Sequence, residues 1–172
     1  MAPENWAYAS STTGADTAFT FTGDGTAGTV NGGTYRVHRW QYTETQTSWG
    51  ITFSQAGIID LLVCGGGAGG RGSYSNGYAG GGGGAGGLIL NFDHGVTATT
   101  YNVSVGEGGQ HANQGDDYYQ NASFVPGDSS FGALTAVAGG RGGLSYTTPG
   151  TGYSGGSGGG GAGGSTLSVN GT

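Results

Sequence analysis

The chain contains no lysine, one cysteine and three prolines, and only 8% of its residues are charged. Its four basic residues are all arginine (Arg36, Arg39, Arg71 and Arg141), set against ten acidic ones for a net charge of -6. Nucleic-acid binding takes most of its affinity from Lys and Arg neutralising phosphates, so it is not expected of this chain. Attraction to an anionic membrane surface fails for the same reason. No apolar run approaches the ~20 residues that span a bilayer, so membrane insertion is not expected either. The opening Met1-Ala2-Pro3-Glu4-Asn5-Trp6 has neither the basic nor the apolar region of a signal peptide. A lone Cys64 leaves no partner for an intrachain disulfide. It ends the apolar run Ile58-Ile59-Asp60-Leu61-Leu62-Val63 and is expected to be a small buried hydrophobe.

What the chain has instead is glycine, 44 residues of 172, against an average usage of about 7%. There is no strict three-residue period and little proline, so the composition is not that of collagen. Glycine loses the most backbone entropy on folding, so a chain this rich in it must stay disordered or pack with unusual regularity. Disorder goes with few aromatics and many charges. Here three Trp, ten Tyr and six Phe accompany a low charge content, and folding is expected.

Glycine is concentrated after Cys64, and three segments follow from that shift: an extended arm (1–18), a β-strand part (19–64) and a glycine-rich part (65–172). In the strand part, Thr17 to Thr22 alternates Phe19 and Phe21 onto one face, and Gly23-Asp24-Gly25 signals a turn. Tyr35 to Tyr42 alternates Tyr35, Val37 and Arg39 against Arg36, His38, Trp40 and Tyr42. Gly50 to Phe53 is a third strand. Ile58 to Cys64 is a fourth, apolar enough to be buried on both faces. No window carries a capped apolar 3.6-residue period, so no long α-helix is expected.

In the glycine-rich part the strands Leu88–Phe92, Tyr101–Val105 and Ala133–Ala138 lie beside glycine runs at 65–70, 80–87, 139–143 and 155–164. One such run reads as a linker; four fused to strands do not. Glycine chains adopt polyproline-II geometry, with three residues per turn and no internal hydrogen bonds. Their N–H and C=O groups then point outward and must find partners in neighbouring runs. The expected architecture is all-β: short antiparallel strands in a sandwich-like N-terminal part, then packed polyglycine helices interleaved with strands. Single alanines within the runs (Ala68, Ala85 and Ala162) are expected to face outward.

The search for chemistry returns little. Gly65-x-Gly67-x-x-Gly70 after a strand matches the dinucleotide fingerprint, but Arg71-Gly72-Ser73-Tyr74 and more glycine follow, where a helix N-terminus is needed. The phosphate-loop motif needs a Lys. The histidines share no metal-ligand spacing; His38 is expected on a strand surface, and His94 and His111 in loops. Asp116 and Asp117, with Glu107 and Asp128, form no recognisable calcium loop. Three Asn-x-Ser/Thr patterns, at Asn102, Asn121 and Asn170, are read as coincidence. No catalytic residue, cofactor or metal is assigned. Two loops, 71–79 (RGSYSNGYA) and 110–127 (QHANQGDDYYQNASFVPG), carry the Tyr, Ser, Asn and Gly mixture of adaptable binding loops. Tyr74, Tyr78, His111, Tyr118, Tyr119 and Phe124 are the candidate receptor or subunit contacts.

The ordered set Val30-Asn31-Gly32, YRVH (35–38), DLLVCGGGAGG (60–70), GGGGGAGGLI (80–89), YNVSVGEGG (101–109) and GDSSFGALTAVAGGRGG (127–143) resembles the glycine-rich domain of bacteriophage tail-fibre, adhesin and other virion structural proteins. The resemblance implies assembly into fibres, tips or surface decorations on the particle exterior, with no catalytic residues. It implies partners that include the chain itself (a homotrimer by analogy) and other virion proteins, and host recognition through loops in some members. Related domains continue to a closing apolar strand, whereas Leu167 to Thr172 stops early, so either this short strand closes the domain or a neighbouring subunit supplies the closure, which favours an oligomer. Three functions follow in order: a phage structural component, an adhesin contacting a bacterial surface receptor, and an ice-binding protein presenting a flat polyglycine face.

Overall fold

Strand-forming residues and glycine runs segregate in space as they do in sequence, and among the described residues there is no α-helix. The computed structural model describes residues 7–10, 21–23, 26–30, 35–72, 78–110, 125–143 and 150–164. Twelve strands occur there: β1 Ala7–Ser10, β2 Phe21–Gly23, β3 Thr26–Val30, β4 Tyr35–Arg39, β5 Ser48–Phe53, β6 Gly57–Cys64, β7 Tyr78–Ala79, β8 Leu88–Val96, β9 Thr100–Ser104, β10 Ser129–Phe131, β11 Leu134–Ala136 and β12 Gly163–Gly164. Every pairing is antiparallel. The fold is all-β.

The sheets run β1-β4-β3, β11-β10-β9-β5-β2, β6-β8 and β12-β7. The five-stranded sheet crosses the compositional shift at residue 65, since β9, β10 and β11 come from the glycine-rich side. Residues 7–10 of the expected arm form β1, which pairs with β4 and packs against β6. The Thr17–Thr22 strand and the Gly23-Asp24-Gly25 turn lie partly outside the described residues.

The core lies between the five-stranded sheet and one face of β6-β8. Ile51 and Phe53 from β5, Ile59, Leu61 and Val63 from β6, Val103 from β9 and Phe131 from β10 are all buried, with Trp40 beside them. Tyr101 stacks on Phe131 (ring centroids 5.1 Å apart) and meets Phe53 edge-on at 5.7 Å. The β10–β11 turn needs a positive φ, which Gly132 supplies at 55°.

Three expectations require correction. His38 is buried, not on the surface, with its ring 5.8 Å from Trp40, because both project from the same side of the Tyr35–Tyr42 segment toward the core. His94 sits in β8, not in a loop, 3.0 Å from the Asn91 amide and edge-on to Phe131. The strand continues through Asp93-His94-Gly95 by a bulge: the register shifts between Ile59 and Leu61, and Asp93 takes up the extra residue at φ 55°. The Asp60 carboxylate accepts from the Asp93 N–H at 3.0 Å and holds that conformation. Third, β6 is buried on one face only. Ile59, Leu61 and Val63 point inward while Ile58 is 50% exposed and Cys64 is half-buried. Apolar residues on the outer face had hidden the alternation.

The bulge makes a direct prediction. Asp93→Gly should leave the urea midpoint within about 0.5 kcal/mol of the parent, because Gly enters the left-handed region without strain. Asp93→Val should lower stability by about 1–3 kcal/mol, the usual cost of a β-branched residue held at positive φ.

Candidate interaction surface

Four glycine runs leave the sheets side by side. Their backbones bond laterally at every third residue. The N–H groups of Gly65, Ala68 and Arg71 donate to the carbonyls of Gly87, Gly84 and Gly81. Those of Gly81, Gly84 and Gly87 donate in turn to Gly143, Gly140 and Val137. Gly140 and Gly143 donate to Ser157 and Gly160, whose own N–H groups return to Ala85 and Gly82. A β-ladder repeats every two residues, whereas a chain with three residues per turn meets each neighbour every third residue. The runs are thus joined laterally through backbone hydrogen bonds at every third residue. Lateral bonding also satisfies backbone groups that burial would otherwise leave unpaired.

The same period explains which positions tolerate a side chain. In the central run, a Cβ at Gly80, Gly83 or Gly86 would come closer than 3.0 Å to the carbonyls of Arg71, Ala68 or Gly65. At Gly81 or Gly84 it would meet the carbonyls of Gly160 or Ser157. The remaining phase is open: a Cβ on Gly82 meets nothing, and Ala79, Ala85 and Leu88, in the same phase, are exposed. Outward alanine holds for Ala85. Ala68 is half-buried, and Ala162 is buried, its N–H donating to Gly150.

The runs also fix where the loops emerge. The row Gly65, Gly87 and Val137 joins the sheets, and the row Arg71, Gly81, Gly143 and Gly160 forms the opposite end. Gly72 and Tyr78, which flank 73–77, and Gly143 and Gly150, which flank 144–149, lie at that opposite end, beside the β7–β12 pair. Segment 106–109 runs alongside 65–71 in the same direction. Glu107 accepts from Gly127, and Gly109 donates to Gly67.

Of the candidate contact residues, Tyr78 is placed in β7. Tyr74, His111, Tyr118, Tyr119 and Phe124 lie outside the described residues. The Arg141 guanidinium lies over the Tyr153 ring, 4.5 Å from its centroid. Arg71 is close by: burial lowers its guanidinium pKa, the like charge of Arg141 lowers it further, and Tyr153 opposes both. The loop end therefore gathers two of the four cations of an acidic chain. At the root of 110–127, the Tyr42 hydroxyl pKa is raised by burial and by the Glu107 carboxylate that it hydrogen-bonds. A recess between β6 and the β9–β10 hairpin is lined by Trp40, Leu61, Val103 and Phe131, all core residues. Among the described residues no group of three His, Cys, Asp or Glu side chains could hold a metal ion.

Sequence reasoning passed over the outer face of β6-β8, where Ile58, Leu88, Leu90 and Phe92 are exposed. The available signal was the alternation of Leu88, Leu90 and Phe92 in one strand and of Ile58, Leu62 and Cys64 in the other.

No curated protein and no solved structure matches the chain. The family model described as a glycine-rich domain matches residues 43–172, from the β4–β5 connection through every glycine run. With that match covering well over half of its length, the chain belongs to the glycine-rich domain family.

Proposed function

We propose that the protein is a structural component of a bacteriophage particle, a fibre, tail-tip or capsid-surface protein that assembles with itself and other virion proteins on the particle exterior. The observation that carries this reading is the glycine lattice, in which four runs are cross-bonded at every third residue between a sheet core and a loop-bearing end. Such a slab holds its ends at a fixed separation with almost no side chains, as a spacer in an external assembly must. The low charge and the absence of lysine suit a packed external part. No catalytic residue or cofactor enters this reading. Mass spectrometry and antibody labelling of purified particles test it. The chain should be found in the particles, in a fixed ratio to a major structural protein; its presence only in the soluble lysate would overturn the proposal.

A second reading is favoured by the end of the glycine lattice from which 73–77 and 144–149 emerge. Residues 73–77 and 144–149 are rooted at the end away from the sheets. An adhesin would present loops 71–79 and 110–127 there to a bacterial surface receptor. Labelled protein should bind host cells, and Tyr118→Ser with Tyr119→Ser should weaken that binding by about tenfold or more, the usual effect of removing aromatic anchors. Unchanged binding would remove loop 110–127 from this role. Ice binding is disfavoured, because the outward row Ala79, Gly82, Ala85, Leu88 does not repeat one small residue at a fixed step.

A further inference from the structure

The outer face of β6-β8 carries a large apolar patch. Leu88 is 65% exposed, Phe92 64%, Leu90 54% and Ile58 50%. Leu88, Leu90 and Phe92 alternate onto one face of β8, and the cross-strand partners of the first two, Cys64 and Leu62, are apolar as well. The patch continues along the open phase of the central glycine run through Ala85, Gly82 and Ala79. From Ala79 to Phe92 the sequence carries no charge; toward the far end stand Asp93 and Asp60, joined by the hydrogen bond in the bulge, with Asp60 between Ile58 and Leu62 on the same face of β6.

We infer that this strip is the interface with a second copy of the chain, packed face to face and antiparallel about a two-fold axis beside Leu90. Three features point to a second copy. Two chains of net charge -6 repel each other over most of their surface, and this strip lets them approach along a stretch whose carboxylates are confined to one end. The acids lie at one end of the strip only. An antiparallel pair sets the two Asp60–Asp93 ends apart, whereas a parallel or three-fold arrangement would bring like charges together at one end. Exposed large side chains of this kind offer roughly 100 Å² each, so two strips bury on the order of 800–1,000 Å² once the glycine row is included. Each strip, at about 400–500 Å², is as large as the largest patch of a typical monomer, which is often functional, and the total falls in the range of weak, transient contacts, so a reversible, concentration-dependent dimer is expected. A two-fold interface needs only one self-complementary patch, which a flat apolar strip provides. The inference goes beyond the particle reading and holds whether or not the chain is a virion part.

Analytical ultracentrifugation of the full chain, from low micromolar to high micromolar concentration, is the test. The mass should rise from one chain to two. Leu90→Ser with Phe92→Ser should weaken the dimer by about tenfold or more with an unchanged thermal midpoint, since both side chains are exposed in the single chain. Tyr153→Ser, exposed elsewhere, should not weaken it. Should the double variant fold poorly, Leu90→Cys in a Cys64→Ser background decides: thiols beside the axis should oxidise to a covalent dimer. A parent chain that stays monomeric at every concentration overturns the inference. A trimer overturns the two-fold pairing and leaves the particle reading standing. Introduced thiols that never cross-link overturn the placement of the axis.

Discussion

Gly83→Ala is expected to cost about 3 kcal/mol of stability, while Gly82→Ala, one residue away, costs nothing. The added methyl at 83 would come closer than 3.0 Å to the Ala68 carbonyl oxygen and carbon and to the Gly69 oxygen. Those are backbone atoms of a neighbouring run, and the Ala68 N–H is itself bonded to Gly84 at 2.9 Å, so the run cannot retreat without breaking the lattice. Overpacking usually costs about 1–3 kcal/mol and more where the surroundings cannot yield. For a chain of this length about 3 kcal/mol lowers the melting temperature by roughly 6–12 °C. At Gly82 the methyl meets nothing within 4 Å, and alanine restricts the unfolded chain. The change there should be neutral or stabilising by up to about 1 kcal/mol. Thermal melts of both variants measure the difference directly. Equal effects at the two positions would mean that the runs do not interlock in a three-residue phase.

Phe53→Ala should be the most damaging change in the sheet core, at about 3–5 kcal/mol. Phe53 is 2% exposed, lies opposite Phe21 in the β2–β5 ladder and contacts the edge of Tyr101, which stacks on Phe131. Its loss leaves a cavity among rings that cannot collapse without breaking that stack. Urea unfolding should show a lower midpoint with little change in slope, together with a weaker near-ultraviolet circular dichroism signal as Tyr101 loses its fixed surroundings. Phe53→Leu fills most of the same volume and should recover more than half of the loss. A midpoint unchanged by Phe53→Ala would place the stabilising core elsewhere, in the glycine lattice alone.

Much of this architecture was legible in the residues. Alternation at Gly50–Phe53 and Tyr101–Val105 gives strands because a pleated chain with one buried face shows period two. Absence of a capped 3.6-residue period excluded long helices, and none occurs among the described residues. Runs of glycine beside strands implied close lateral packing, since a backbone without side chains can satisfy its polar groups only against other backbones.

Other features depended on the tertiary structure. Sequence alone placed His94 in a loop and both faces of Ile58–Cys64 in the core, because an Asp-His-Gly triplet looks like a turn and an apolar outer face erases alternation. The bulge at Asp93 carries the strand through the triplet, and the β6-β8 sheet leaves one apolar face in solvent. His38 reads as polar in sequence, yet the fold buries its ring beside Trp40.

By itself the sequence determined an acidic, lysine-free, glycine-rich all-β chain, because composition and period are local properties. Only the tertiary structure decided which glycines are indispensable, where the loops emerge and which apolar face stays open. Those depend on which backbone lies within a few ångströms of which, and chains far apart in sequence make those contacts.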